Sequence, residues 1–561
     1  MKRFSTVIAP GLVLLTGFLV GGWLLQKGVG QEKNVYFQVR LFEEVMGHVL
    51  TSYVDPVDRE ELYSSAIQGV LSELGDPNTS FLPASDADDF RIRMGGEYGG
   101  VGLEVIPQDG WTTVVTALPG TPGTRAGMRP GDQIVEVEGV SVEGWSSDEV
   151  VGELRGRPGI PVEVKVRRPG VDVPIPFTII RESIQLRSVP FVTELEGGVG
   201  YVPLQSVTET SFQEVREAVD SLRATGVEEL ILDLRGNTGG PLDQGIAIAD
   251  FFLDPDEIVV ETRGRAANQS HTYGALREQA YRNLTVVALV DERSASASEI
   301  IAGALQDHDR ALVVGAPTFG KGSVQTLFPL TGGNILRLTT ARWYTPLGRS
   351  IHKEREDQIR ALERSTITLT GDYATRPDTA GKPVFRTEGG RSVLGGGGII
   401  PDVLVVADTL TTPEQAAFLE LSRSGSVFNT AVFNYAVEYL QDHRGLEEGF
   451  SLGEEDLRDL QNHLAESGVG LSPPAFRAAQ RFIQFYVERE IASQAWGDVG
   501  EFRRTVGRDK AIQRALELLS QSTSTEELLD LSTDPDFSDW IPVSLLDEEL
   551  TRAKQGSESG S

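Results

Sequence analysis

Two runs in this 561-residue chain could do chemistry together: Ser294-Ala-Ser-Ala-Ser-Glu-Ile300, and Gly320-Lys-Gly-Ser-Val-Gln325. Ser296 is a candidate nucleophile and Lys321 a candidate base. A serine hydroxyl attacks a carbonyl only when a neighbour takes its proton, and a lysine does so only where burial favours its neutral form. Lys321 is flanked by Phe319, two glycines and Val324, with no carboxylate nearby in sequence to hold it charged. Gln325, four positions on, falls on the same side of the backbone at either helical or strand period, so its amide could steer the lysine.

The elements around these runs would have to position them. Ser296 follows an apolar strand pattern, Thr285-Val-Val-Ala-Leu-Val290, and precedes a helical pattern over 298–306. A second strand pattern, Ala311-Leu-Val-Val-Gly315, can return the chain toward the serine. Helix N-termini favour developing negative charge, which makes the N–H of Ala297 a natural donor to an oxyanion. A second donor is expected in Asp233-Leu-Arg-Gly-Asn-Thr-Gly-Gly-Pro241, at Gly240, where the strand 230–234 meets a glycine turn and Pro241 can open a helix.

Each motif has a plainer interpretation. Ser296 with Glu299 three residues later is also a capping box, which needs no catalysis. The stretch 315–322 is a near miss to a phosphate-binding loop, but position 322 is glycine where a metal-binding hydroxyl is required. Pro329 also leaves little room for the long helix that should follow.

Several ordered blocks resemble the carboxyl-terminal processing, or tail-specific, proteases, which use a Ser/Lys pair and carry a PDZ domain. They are 294–300, Leu305-Gln-Asp307, Thr318-Phe-Gly-Lys-Gly-Ser-Val-Gln325, 233–240, and Tyr344-Thr-Pro-Leu-Gly-Arg-Ser-Ile351, and the likeness spans about residues 35–405. The resemblance implies that Ser296, rather than Ser294 or Ser298, is the nucleophile, Lys321 the base and Gln325 the orienting amide. It also implies a multidomain α/β fold, with a crotonase- or ClpP-like spiral core and an inserted PDZ domain.

The domain order expected is a signal peptide or anchor at 1–30, a helical segment at 31–94, a PDZ domain at 95–181, the α/β core at 182–410 and a helical extension at 411–561 ending in a disordered tail. Within 95–181, short strand patterns at 101–106, 112–116, 133–137 and 162–166 are divided by glycine and proline turns, with a capped helix over 146–154. Ala126-Gly-Met-Arg-Pro-Gly-Asp-Gln-Ile134 is similar to the PDZ signature, and Gly99-Gly100-Val101-Gly102-Leu103 to its carboxylate-binding loop. Consecutive N–H groups there could capture the terminal carboxylate of a polypeptide added as an edge strand. Arg155, after the helix, matches a family position that can couple the bound PDZ domain to the core. A segment at 353–392 interrupts the pattern of the simplest members, and its role is not legible.

Composition narrows the compartment and the partners. Val7–Leu25 carries no charge and follows Lys2 and Arg3, which is the pattern of a membrane anchor or signal. No Ala-x-Ala site follows it, so an uncleaved inner-membrane anchor is expected, with the catalytic domains on the periplasmic side; a cleaved signal would instead give a secreted protein. The net charge of −31 argues against nucleic acid as a partner. The absence of cysteine removes thiolate nucleophiles and Cys-based zinc sites, and no His-Glu-x-x-His occurs, so neither cofactor nor metal is expected. Of six histidines only His308 is near the serine in sequence. It falls roughly 18 Å along the expected helix, too far for a histidine triad, and reads as a surface side chain.

The resemblance implies that the partners are polypeptides with free, apolar C-termini. Amphipathic patterns at 413–421 and 475–486 leave a face to bury on the same chain or on a second copy, which suggests a homo-oligomer. The rival to a protease is a catalytically silent scaffold that holds protein tails in its PDZ groove.

Overall fold

The structure, a computed structural model, describes residues 35–532 apart from 109, 169–170, 172, 376–381 and 425. The proposed anchor and the proposed disordered tail lie outside the described residues. Among the described residues two compact units emerge, one formed by 35–84 with 327–338 and the other by the remainder.

In the first unit the helices Val35–Ser52 and Arg59–Ser72 bear out the helical reading, the second capped by Asp58, whose side chain accepts from Glu61 N at 2.9 Å. A short strand, Ser80–Leu82, was not expected; it pairs antiparallel with 335–337.

The larger unit is built on a six-stranded sheet in the order Thr193–Glu194, Val199–Pro203, Glu229–Asp233, Thr285–Val290, Leu312–Gly315, Val403–Leu404. All pairings after the first are parallel. Such strands need cover on both faces, and their sequences are accordingly continuous apolar runs. One face, including Leu230, Leu232, Ala288 and Val313, packs against the helices Ser211–Ala224, Leu242–Asp250 and Ala297–Asp307 through Val215, Ile248, Ile301 and Leu305. The other, with Tyr201, Ile231, Val287, Leu289 and Val314, is covered by the helices Lys510–Ser520 and Thr525–Leu531 through Ile512, Ala515, Leu518 and Leu528.

The C-terminal helices therefore spend these apolar faces within the chain. A second apolar cluster, containing Leu421, Val432, Leu460, Phe482 and Ile491, belongs to the helices between residues 412 and 505. The two clusters remove the reason for expecting a second copy there.

The β-rich region has the sheet order Leu103–Gln108, Trp111–Ala117, Gln133–Val137, Pro161–Arg167, Ile175–Ile180, with Val140–Ser141 paired to the third strand. The helix Ser147–Leu154 starts at Ser146, which forms a reciprocal capping box with Glu149. Leu103–Gln108 lies at the edge of this sheet.

The segment that interrupts the family pattern carries a helix, Arg355–Glu363, and strands of two or three residues. It is fastened at both ends of the helix Ala297–Asp307. Beside the serine turn Thr375 N donates to Glu292 Oε1 at 2.6 Å and Arg293 pairs with Asp372 at 3.1 Å, while past the helix C-terminus Arg391 reaches Asp309 at 2.7 Å and Asp402 at 2.5 Å.

Candidate active site

Three serines enter the helix Ala297–Asp307, and their surroundings separate them. Ser294 and Ser298 are fully buried and donate to main-chain carbonyls, Ser294 Oγ to Leu234 O at 2.8 Å and Ser298 Oγ to Asn237 O at 3.0 Å. These two hydroxyls hold the glycine loop against the turn. Ser296 is half-buried and sits at φ 56°, ψ −114°, a left-handed backbone that a non-glycine residue adopts only under constraint.

Part of that constraint is steric. Gly239 has φ +86°, and a Cβ there would lie 2.8 Å from Ser296 Cβ and 2.6 Å from Ala295 O. Only glycine lets the loop approach the serine this closely.

Glu299 supplies the rest. Its Oε2 accepts from Ser296 N at 2.8 Å and from Lys321 N at 2.9 Å; its Oε1 accepts from Thr318 Oγ1 at 2.6 Å and Gly320 N at 2.7 Å. The side chain is fully buried, and burial raises its pKa against the four hydrogen bonds, which favour the carboxylate. The capping-box reading and the catalytic reading thus meet in one group, which caps the helix and also holds the lysine turn beside the serine turn.

Sequence reasoning missed this role, because an i, i+3 pair shows only the capping partner. The expectation that no carboxylate lies near Lys321 holds along the sequence and fails in space.

Lys321 itself is half-buried, and its carbonyl accepts from Trp343 Nε1 at 3.0 Å, with Trp343 1% exposed. The chain then enters a strand, Ser323–Pro329, so the stretch 315–322 lacks the helix that a phosphate-binding loop requires. Gln325 Nε2 donates to Ser323 Oγ at 2.9 Å.

Gly239, which precedes one oxyanion candidate in sequence, closes on the other: a Cβ there would fall 2.8 Å from Ala297 N. Neither Ala297 N nor Gly240 N has an acceptor among the described residues, and Gly240 is pressed against Val207, where a Cβ would stand 1.8 Å from the carbonyl oxygen. His308 caps the far end of the helix, as its spacing implies, but it is not a surface residue: its side chain is 13% exposed and its Nε2 lies 2.7 Å from Ile258 O.

In the β-rich region the five-residue glycine stretch divides. Gly99 and Gly100 are paired in a short antiparallel ladder with Ser183 and Glu182, which leaves Val101 and Gly102 as the turn before Leu103 opens the edge strand. The carbonyls of this turn are taken from within the domain, Val101 O by Gly123 N at 2.8 Å and Gly102 O by Leu118 N at 3.0 Å. The N–H groups of Val101 and Gly102 have no acceptor among the described residues. Arg155 pairs with Asp89 and lies over the Tyr98 ring, 5.5 Å from its centroid.

Comparison with known proteins places this arrangement. The peptidase family S41 model matches residues 198–360 and the PDZ domain model residues 113–168. The carboxy-terminal-processing protease of Bartonella bacilliformis is 40% identical over 324 residues, covering 57% of this chain and 74% of that protein. The chain belongs to the carboxy-terminal-processing protease family.

The carboxy-terminal processing protease CtpA of Bacillus subtilis is 33% identical over 398 residues, covering 68% of this chain and 84% of its own length. Among solved structures, a photosystem II D1 C-terminal processing protease matches 57% of this chain and 84% of its own at 31% identity, with a TM-score of 0.33. As a carboxy-terminal-processing protease the protein is a serine-type peptidase, with a multidomain α/β fold that includes a PDZ domain. Among the described residues no helix is long and apolar enough to cross a membrane, and Val7–Leu25 lies outside them.

Proposed function

We propose that the protein is an endopeptidase that selects polypeptides by their free C-termini and cleaves them through an acyl-enzyme formed on Ser296. The observation that carries this reading is the joint attachment of Ser296 N and Lys321 N to a single carboxylate oxygen, which fixes the two candidate residues side by side.

In the acylation step Lys321 Nζ takes the Ser296 hydroxyl proton as Oγ adds to the scissile carbonyl. The resulting oxyanion is met by the free N–H groups of Ala297 and Gly240. Collapse breaks the C–N bond, Lys321 returns the proton to the leaving amine, and water then hydrolyses the ester. Gln325 orients the lysine in this scheme. The incoming tail adds to the free edge of Leu103–Gln108, its carboxylate on the N–H groups of Val101 and Gly102. Arg155, through Asp89, ties the PDZ domain to the helix Ala84–Gly95, and is the candidate link between tail binding and the core. Val7–Leu25 would hold the protein at a membrane.

The test is cleavage of an unfolded polypeptide ending in an apolar free carboxylate. Ser296→Ala and Lys321→Ala should each abolish cleavage while remaining folded, and amidation of the tail should weaken it. Cleavage that survives Ser296→Ala would refute the mechanism, and stoichiometric tail binding without product would return the scaffold reading.

A further inference from the structure

Lys353 is the first residue of the segment 353–392 that interrupts the family pattern, and it points back at the turn that presents Lys321. Its Nζ donates to Thr318 O at 2.6 Å, and its own main-chain N–H donates to Gly320 O at 3.0 Å. The aliphatic stem lies along the same turn. Gly320 has φ +88°, and a Cβ there would sit 2.7 Å from Lys353 Cγ.

The turn 318–321 is thereby held from both sides by groups of opposite character. Its donors, Thr318 Oγ1, Gly320 N and Lys321 N, converge on the Glu299 carboxylate. Its acceptors are taken by Lys353 and Trp343, with Thr318 O and Gly320 O on the former and Lys321 O on the latter. A chain segment whose dipoles are aligned between an anion and a cation has little freedom to rotate.

We propose that Lys353 is a positioning residue for the base, its ammonium fixing the Thr318–Lys321 turn so that Lys321 meets Ser296. The proposal rests on the Ser296/Lys321 reading above. Burial pushes the Lys353 ammonium down to about 8, with Glu299 opposing that shift, Lys382 adding to it, and Glu292 and Asp357 opposing it. The segment 353–392 so acquires a role at its first residue: it supplies the cationic half of the clamp.

The experiment measures kcat and KM for a tail-bearing peptide with wild type, Ser296→Ala, Lys353→Met and Lys353→Arg. Displacement of a base by a fraction of its reach costs about 30-fold or more in kcat, and Lys353→Met should show that loss with KM within about twofold of wild type. Lys353→Arg, which restores a cationic donor, should recover to within about fivefold. A structural defect alone would not give this pairing of intact KM with rescue by the conservative variant. If Lys353→Met does not fold, Lys353→Gln takes its place under the same kcat criterion. Full kcat in the neutral variant, a loss confined to KM, or an arginine variant as inactive as methionine would overturn the proposal. Activity that persists in Ser296→Ala would instead remove the reading beneath it.

Discussion

Ser296 and Lys321, far apart in sequence, share one hydrogen-bond acceptor: Glu299 Oε2 stands 2.8 Å from the first main-chain nitrogen and 2.9 Å from the second. The geometry of the candidate pair is therefore set by backbone held on a buried anion rather than by the two side chains alone.

Replacing that anion tests the arrangement. In Glu299→Gln an NH2 group must stand where one carboxylate oxygen now accepts two N–H or O–H donors, whichever way the amide turns. Facing donor against donor in a dry site should cost about 3 kcal/mol. The expected result is a lower unfolding midpoint and a loss of cleavage that higher substrate concentration does not restore. Wild-type kcat in a folded Glu299→Gln protein would show that the shared carboxylate does not position the pair.

The tail-binding turn makes a separable prediction. Gly102 has φ +72°, and a Cβ there would fall 2.4 Å from Thr121 Cβ. Gly102→Ala should therefore shift the turn and misdirect its two free N–H groups. Loss of one good charge-assisted contact to the terminal carboxylate weakens binding by about tenfold or more. KM for substrates with a free tail should rise, while an unfolded substrate with an amidated tail should be cut at nearly the wild-type rate. An equal effect on both substrates would place tail capture elsewhere.

How much of this was legible in the sequence depended on the range of the interactions. The strand Thr285–Val290 is buried along its whole length, so its apolar run marked it out, and the capped helix 147–154 announced itself through Ser146 and Glu149. Glu299 was visible only as a local cap, because three of its four donors come from a turn brought in by folding. The stripe Ile512, Ala515, Leu518, Leu519 has helical spacing, but periodicity does not say which surface it meets. The segment 353–392 was opaque for another reason: its strands are two or three residues long, too short for alternation to register.

The covering helix yields its own prediction. Leu518 is fully buried against the sheet face that carries Ile231, Val287 and Leu289. Leu518→Ala leaves a cavity under parallel strands that cannot collapse freely, and should destabilise the fold by about 3 kcal/mol. Truncation before Lys510 removes both helices and, of the C-terminal extension, leaves only Phe502 and Val506 on that face, and should give an aggregating protein. Chemical denaturation of the point variant and size-exclusion chromatography of the truncation would check both. A soluble, active truncation would mean that the second face of the sheet is protected by something other than these helices.

The last prediction follows from the charge on Lys353. In the unfolded chain a lysine keeps its proton up to about 10.4, whereas burial brings this one down to about 8 in the fold. Between those values the unfolded state binds more protons than the native state. Stability attributable to this group must therefore rise with pH across the window and stay flat below it. Lys353→Met deletes the titrating group and leaves the other ionisations in place, so the difference in unfolding free energy between the two proteins isolates it. Urea denaturation at intervals from about pH 7 to pH 10 should show the difference moving in favour of the wild type as pH rises through about 8 and beyond. A pH-independent difference would mean that the Lys353 ammonium is as well solvated in the fold as in the open chain. A trend of the opposite sign would mean that the charge of Glu299, rather than burial, governs its ionisation.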